Sequence, residues 1–182
     1  MNTLDKKSKL KILWLILITF LLISNIFSIN ILIYNINPNL VKCIIYILIF
    51  VLPILFFDYT KLKYIKKIYI PFSILFSLLS IFTYNFLFAG ETYYKFSSPN
   101  KNRTLVVSEG RKDSSVPISF YELKYKFIIK YYDTKSVTIA DNYFQPFAEH
   151  SYSVKWLDNN SVIVDYCVNP MIDSWNTITI QF

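Results

Sequence analysis

Residues Ile12 to Tyr34 form a 23-residue stretch with no charged side chain, and sixteen of them are Ile, Leu or Phe. A helix rising 1.5 Å per residue needs about 20 such residues to cross a ~30 Å hydrocarbon core. At roughly −0.3 to −0.6 kcal/mol each near the helix centre, these side chains favour insertion by about 5–10 kcal/mol. Asn25 and Asn30 oppose this only in part. A second run covers Val41 to Phe57, with Lys42 at its edge, and a third covers Tyr69 to Gly90. Three spans, about 12–34, 41–57 and 69–90, are therefore expected. A cleaved signal peptide is the alternative for the first. Its basic leader fits, but the apolar core is too long and no small-x-small cleavage site comes after it.

The formal charge of +7 belongs to the spans. Residues 1–90 carry nine Lys and two Asp, whereas residues 91–182 carry ten basic and ten acidic side chains. With no basic excess in the second half, nucleic acid is not an expected partner. The lipid bilayer is. Lysines collect on the cytoplasmic side of a membrane. Lys6, Lys7, Lys9 and Lys11 precede the first span, and Lys61, Lys63, Lys66 and Lys67 separate the second from the third. The connection from Asn35 to Lys42 has one. This asymmetry predicts a multi-pass cell-membrane protein with a cytoplasmic N-terminus and residues 91–182 outside. Trp14, Tyr34, Tyr69 and the Tyr93–Tyr94 pair stand near the span ends, as an interfacial aromatic belt requires.

Within the spans, Ser73, Ser77, Ser80 and Tyr84 share one helical face, and Ser24 and Ser28 share another. Small polar residues in this pattern point to helix packing through close approach and hydrogen bonds. A conduction path would need ionisable residues in mid-span, and none is present. Pro53 lacks an N–H and is expected to kink the second span.

After Glu91 the pattern becomes that of an antiparallel β domain, a sheet or sandwich of five or six strands. Leu105–Val107 is a short apolar run behind the turn sequence Ser97–Asn102. From Ser119 to Asp133, Tyr121, Leu123, Tyr125, Phe127, Ile129 and Tyr131 alternate with Glu122, Lys124, Lys126 and Lys130, which favours one strand over a helix. Val137–Ala140 is a further candidate. Tyr152–Trp156 and Val162–Tyr166 flank Asp158-Asn159-Asn160 as a hairpin, and Trp175–Phe182 ends the domain.

Ser98-Pro99-Asn100-Lys101 before a strand, with Trp156-Leu157-Asp158-Asn159-Asn160-Ser161-Val162 at a hairpin, resembles a group of small, uncharacterised membrane proteins of Gram-positive bacteria. Those place a few membrane helices before an outside domain with Ser-Pro-Asn-Gly-Lys and Trp-x-Asp-x-x-x-Val elements. Lys101 stands where the group has Gly. The resemblance covers the second half of the chain and implies no activity. β-Propeller blades share these elements, but a propeller needs several blades and each element occurs here once.

The chain offers little catalytic chemistry. His150 is the single histidine, between Glu149 and Ser151. A hydrolase needs a nucleophile, a base and oxyanion donors converging in space, and no Gly-x-Ser-x-Gly elbow is present. One His and two distant Cys do not make a tetrahedral metal set. Asp133, Asp141, Asp158 and Asp173 lack EF-hand spacing, and two glycines cannot make a phosphate loop. No catalytic, cofactor or metal residues are assigned, and no cofactor is expected. Cys43 and Cys167 would both face the outside, so a bridge between them is one reading and two buried free thiols the other. The expected function is a non-catalytic interaction or envelope module outside the cell. An immunity-type protein against a membrane-active peptide is one alternative. The other is an accessory subunit of a transporter or sensor, packed on another membrane or envelope protein through Ser73, Ser77 and Ser80.

Overall fold

In the computed structural model, residues 5–33, 36–57, 63–110, 115–132, 137–140 and 144–182 are described. The chain divides into a helical unit of residues 1–28 and 38–89 and a β unit of residues 29–37 and 90–182. Four residues singled out in the sequence, Tyr34, Lys61, Asp133 and Asp141, lie outside the described residues.

The helical unit contains α1 (Lys6–Ile26), α2 (Pro38–Phe56) and α3 (Lys63–Leu87), each long and apolar enough to cross a membrane. α2 is the central helix and packs against both others. Pro38 opens α2, where its missing N–H would have had no helical partner anyway. The outward faces carry Leu15, Ile16 and Leu22 on α1 and Leu75, Leu78, Phe82 and Phe86 on α3, all exposed. A continuous apolar surface of this size is unfavourable in water and suits lipid.

α1 stops at Ile26, eight residues short of the expected end at Tyr34. Its 21 residues already span about 30 Å, so a bilayer requires no further helix. The residues beyond it have strand chemistry: isoleucines at 29, 31 and 33 alternate with Asn30 and Leu32, and Ser28 turns the chain with a φ of 51°. Ser28 thus lies beyond the helix and shares no face with Ser24. β1 (Ile29–Ile31) joins the β unit, pairing antiparallel with β5 (Ile128–Tyr131).

The larger sheet runs β1–β5–β4–β3–β2, with β2 (Thr92–Ser97), β3 (Thr104–Glu109) and β4 (Ser115–Lys124). The ten-residue β4 pairs with β3 along one edge. Its other edge is shared, β6 (Val137–Ala140) taking the first half and β5 the second. β7 (Tyr152–Trp156), β8 (Ser161–Asn169) and β9 (Ser174–Gln181) make the smaller antiparallel sheet. The two sheets meet face to face. Leu105, Val107, Val116, Ile118 and Phe120 from the larger pack with Val162, Val164, Tyr166, Ile178 and Ile180 from the smaller, around Phe147. Because side chains alternate along a strand, Val106 points the other way. There it is fully buried with Ile129 and Leu32, the latter supplied by the connection between α1 and α2.

The fold corrects a further expectation. The Ser119–Asp133 stretch is not one strand but the hairpin β4–β5, turning through Tyr125 and Lys126 at φ values of 51° and 66°. No Gly, Asn or Pro marks it, so turn chemistry could not reveal it. The fully buried face of β4 is accordingly Val116, Ile118 and Phe120, while Tyr121 and Leu123 pack on the Leu32 side. Tyr93 and Tyr94 lie in β2. At the other motif, Ser98 Oγ accepts from the Arg103 amide at 3.2 Å, and Lys101 has a φ of 59°. That is the left-handed geometry a glycine takes most easily.

Truncating Leu32, fully buried in the β unit, to Ala should cost about 2–4 kcal/mol of its stability. Ile36→Ala, in the same connection but 44% exposed, should cost under about 0.5 kcal/mol. Chemical unfolding monitored by tryptophan fluorescence separates the two; equal effects would remove residues 29–37 from the β core.

Candidate functional site

The helical unit is organised by a gap in the hydrogen bonding of α2. Proline at 53 has no N–H to give the carbonyl four residues earlier, that of Ile49. The Trp14 indole of α1 donates to this carbonyl at 2.9 Å. The adjacent carbonyl of Phe50 also draws donors from α3: Tyr69 Oη and Ser73 Oγ each donate to it at 3.0 Å. Ser73 is 1% exposed. Of the expected serine face, Ser73 is thus the member that bonds across to α2. Ser77 and Ser80 donate instead to carbonyls of their own helix, Ser73 at 2.7 Å and Phe76 at 2.8 Å. Beside them, Cys43 Sγ lies 3.5 Å from the Ser80 carbonyl and Phe50 packs on Phe76 at 5.0 Å.

Those two contacts fix how α2 and α3 run past each other, and between them lies a cavity of about 490 Å³. At one end its lining is Phe50, Phe76 and the exposed Leu79. Towards the start of α2 and the end of α3 it becomes polar, with Asn39, Lys42, Thr83 and Tyr84, joined by Asn25 of α1. Sequence reasoning found Lys42 only as an interruption and Tyr84 only as a fourth member of the serine stripe. The residues share a cavity because two antiparallel helices bring positions 39–42 level with 83–84, a pairing no sequence period reveals.

The β unit contains a buried carboxylate that composition did not single out. Glu109, at the end of β3, is fully buried. Its Oε1 accepts the Phe147 amide at 2.8 Å, and its Oε2 the Ala148 amide at 3.0 Å and the Tyr94 hydroxyl at 3.4 Å. Burial pushes the Glu109 carboxyl above its ordinary value, against the opposing pull of the two amides. Burial first, and then the charge of Glu109, push the Tyr94 phenol up to about 12. Glu109 pins the turn that inserts Phe147 between the sheets. The arrangement holds a fold element and presents no nucleophile.

Arg103 ties the sheets together at another corner. Its Nη1 pairs with Glu122 at 2.9 Å, its Nε donates to Asn160 Oδ1 at 3.0 Å, and its guanidinium stands 5.6 Å from the Phe182 ring, which stacks on Trp156. In the Asp158 turn, one carboxylate oxygen accepts the amides of Asn160 and Ser161, and these bonds hold its pKa below the ordinary value.

The remaining sequence candidates are placed apart. Glu149 and His150 are both exposed on the turn before β7, with His150 at a φ of 56° and 6.5 Å from the Tyr152 ring. Among the described residues, no three His, Cys, Asp or Glu side chains gather in a metal-holding group. Cys43 and Cys167 are free, buried thiols, one in the helical unit and one in β8. The chain matches no protein-family model, no curated protein and no solved structure.

If the Trp14 bond exists because Pro53 frees the Ile49 carbonyl, the two residues must be coupled. Trp14→Phe should cost about 0.5–1.5 kcal/mol in the native chain. It should cost clearly less in a Pro53→Ala background, where the new amide takes the carbonyl. A double-mutant cycle on detergent unfolding reads the difference, and strict additivity would break the link. For Glu109 the native carboxyl holds its proton more tightly than the unfolded one. Its contribution is thus complete below the ordinary value of 4.5 and is lost as pH rises through the native value. The thermal midpoint of the wild type, referenced to Glu109→Gln, should fall with rising pH across that window; a flat or rising difference refutes the burial effect.

Proposed function

We propose that this chain is a multi-pass cell-membrane protein that displays a non-catalytic interaction or envelope domain outside the cell, with its N-terminus in the cytoplasm. The observation that carries the reading is the pairing of β1 with β5. Residues 29–37, between α1 and α2, share one sheet and one core with residues 90–182, beyond α3. Two segments of one sheet must occupy the same compartment. This holds when α2 and α3 both cross, because the connection before α2 and the end of α3 then emerge on the same side; a crossing by just one of the two would separate them. α1, itself long and apolar enough to cross, makes the third span and puts the N-terminus on the opposite side.

The lysines support one side over the other. Lys6, Lys7, Lys9 and Lys11 lie in the first turns of α1 and Lys63, Lys66 and Lys67 in the first turns of α3, and the positive-inside rule assigns those helix ends to the cytoplasm. The β unit, with balanced charge, is then outside. An interaction role rests on its aromatic content and on the exposed Met171, Ile172 and Trp175 beyond β8, residue types suited to contact surfaces. The reading as an accessory subunit docked through the serine stripe loses its most buried member, since Ser73 bonds to α2 of the same chain.

Alkaline-phosphatase and fluorescent-protein fusions test the topology at two points. A fusion after Lys67 should report cytoplasm and one after Phe182 the outside. An external Lys67 would overturn the reading, as would fusions at Asn37 and Phe182 reporting opposite sides.

A further inference from the structure

Lys42 places a cation within a membrane-crossing helix, half-buried on the wall of the cavity. Among the described residues of the helical unit the only carboxylate is Asp5, which precedes α1. Asn25, at the cavity, lies twenty residues further along that helix, about 30 Å away. Among the described residues of the unit, none can therefore neutralise Lys42. A lysine near a helix end can also satisfy itself by reaching to water, but this one stands among polar groups that converge. Asn25 of α1 brings an amide, and Thr83 and Tyr84 of α3 bring hydroxyls, to the same cavity lining.

The opposite end of the cavity has the contrary character. Phe50 is eight residues beyond Lys42 on α2, about 12 Å deeper along the axis, and it faces Phe76 and Leu79. A volume of about 490 Å³ falls within the range of ligand-holding sites, roughly 300–1,000 Å³. One cation with hydrogen-bond donors at one end, and aromatic and aliphatic side chains at the other, is complementary to a molecule with an anionic head and a hydrocarbon tail. A bilayer presents such molecules to a transmembrane cavity at high local concentration.

We infer that this cavity binds one anionic membrane phospholipid, its phosphate on Lys42 and part of an acyl chain between Phe50, Phe76 and Leu79. The charge balance selects against lipids with a cationic headgroup, whose own ammonium competes with Lys42 for the phosphate. The leaflet is the outer one in the proposed topology; the binding chemistry does not depend on that assignment.

The test uses the full chain, delipidated in a neutral detergent and studied by native mass spectrometry. Lysophosphatidylglycerol should bind one per chain, with lysophosphatidylcholine at least about tenfold weaker and free glycerol phosphate undetectable at the same concentration. Lys42→Gln should weaken lysophosphatidylglycerol about tenfold and Lys42→Arg should retain it. Thr83→Trp, which fills the cavity and leaves the cation in place, should abolish it; this variant decides the matter if Lys42→Gln fails to fold. Equal binding of the two lysolipids, unchanged binding by Lys42→Gln or Thr83→Trp, or glycerol phosphate binding as tightly as the lipid would each overturn the assignment.

Discussion

A carbonyl without an amide partner is tolerable at the surface of a soluble helix, where water takes the vacancy. In hydrocarbon there is no water, and an unpaired carbonyl costs several kcal/mol. Pro53 creates such a vacancy at Ile49, in the middle of the central helix. The helical unit is arranged around filling it: Trp14 reaches in from α1, while Tyr69 and Ser73 of α3 load the neighbouring carbonyl of Phe50. These bonds have direction, which lipid-soluble side chains such as Leu and Ile lack. They set which faces of α1 and α3 meet α2, and hence where Lys42, Thr83 and Tyr84 come together.

The β unit obeys the opposite solvent logic. Its strands are held by an aromatic and aliphatic core whose burial supplies the driving force, and its few buried polar groups serve to fix geometry. Glu109 holds the Phe147 turn and Arg103 spans from Glu122 to Asn160. In both units a polar group is kept where a neighbour would otherwise be free to shift.

Much of this was legible in the sequence. Long uncharged runs gave the three helices, and period-two alternation gave β7, β8 and β9 with the Asp158 turn between the first two. The helix ends and the larger sheet were less legible. Ile29–Ile33 is apolar enough to read as membrane helix, and only a partner about 100 residues away in β5 makes it a strand. The β4–β5 turn escaped because Tyr125 and Lys126 adopt left-handed backbone that their types rarely take. The cavity and the Glu109 cluster depend on register between elements, which no local pattern encodes. Cys43 and Cys167 invited a bridge by count and expected compartment; the structure holds both as separate buried thiols.

The strand between α1 and α2 also imposes an order of events during synthesis. Ile29 emerges early, yet its partner Lys130 is made roughly 100 residues later, after α2 and α3. Until then β1 is an unpaired apolar edge, and Leu32 has no core to enter. The sheet therefore cannot close until α2 and α3 have been made and both of its segments lie on one side. Completion of the β unit is thereby made conditional on α2 and α3 together: a chain in which just one of them crossed a membrane would hold its two sheet segments apart and leave β1 an unpaired edge.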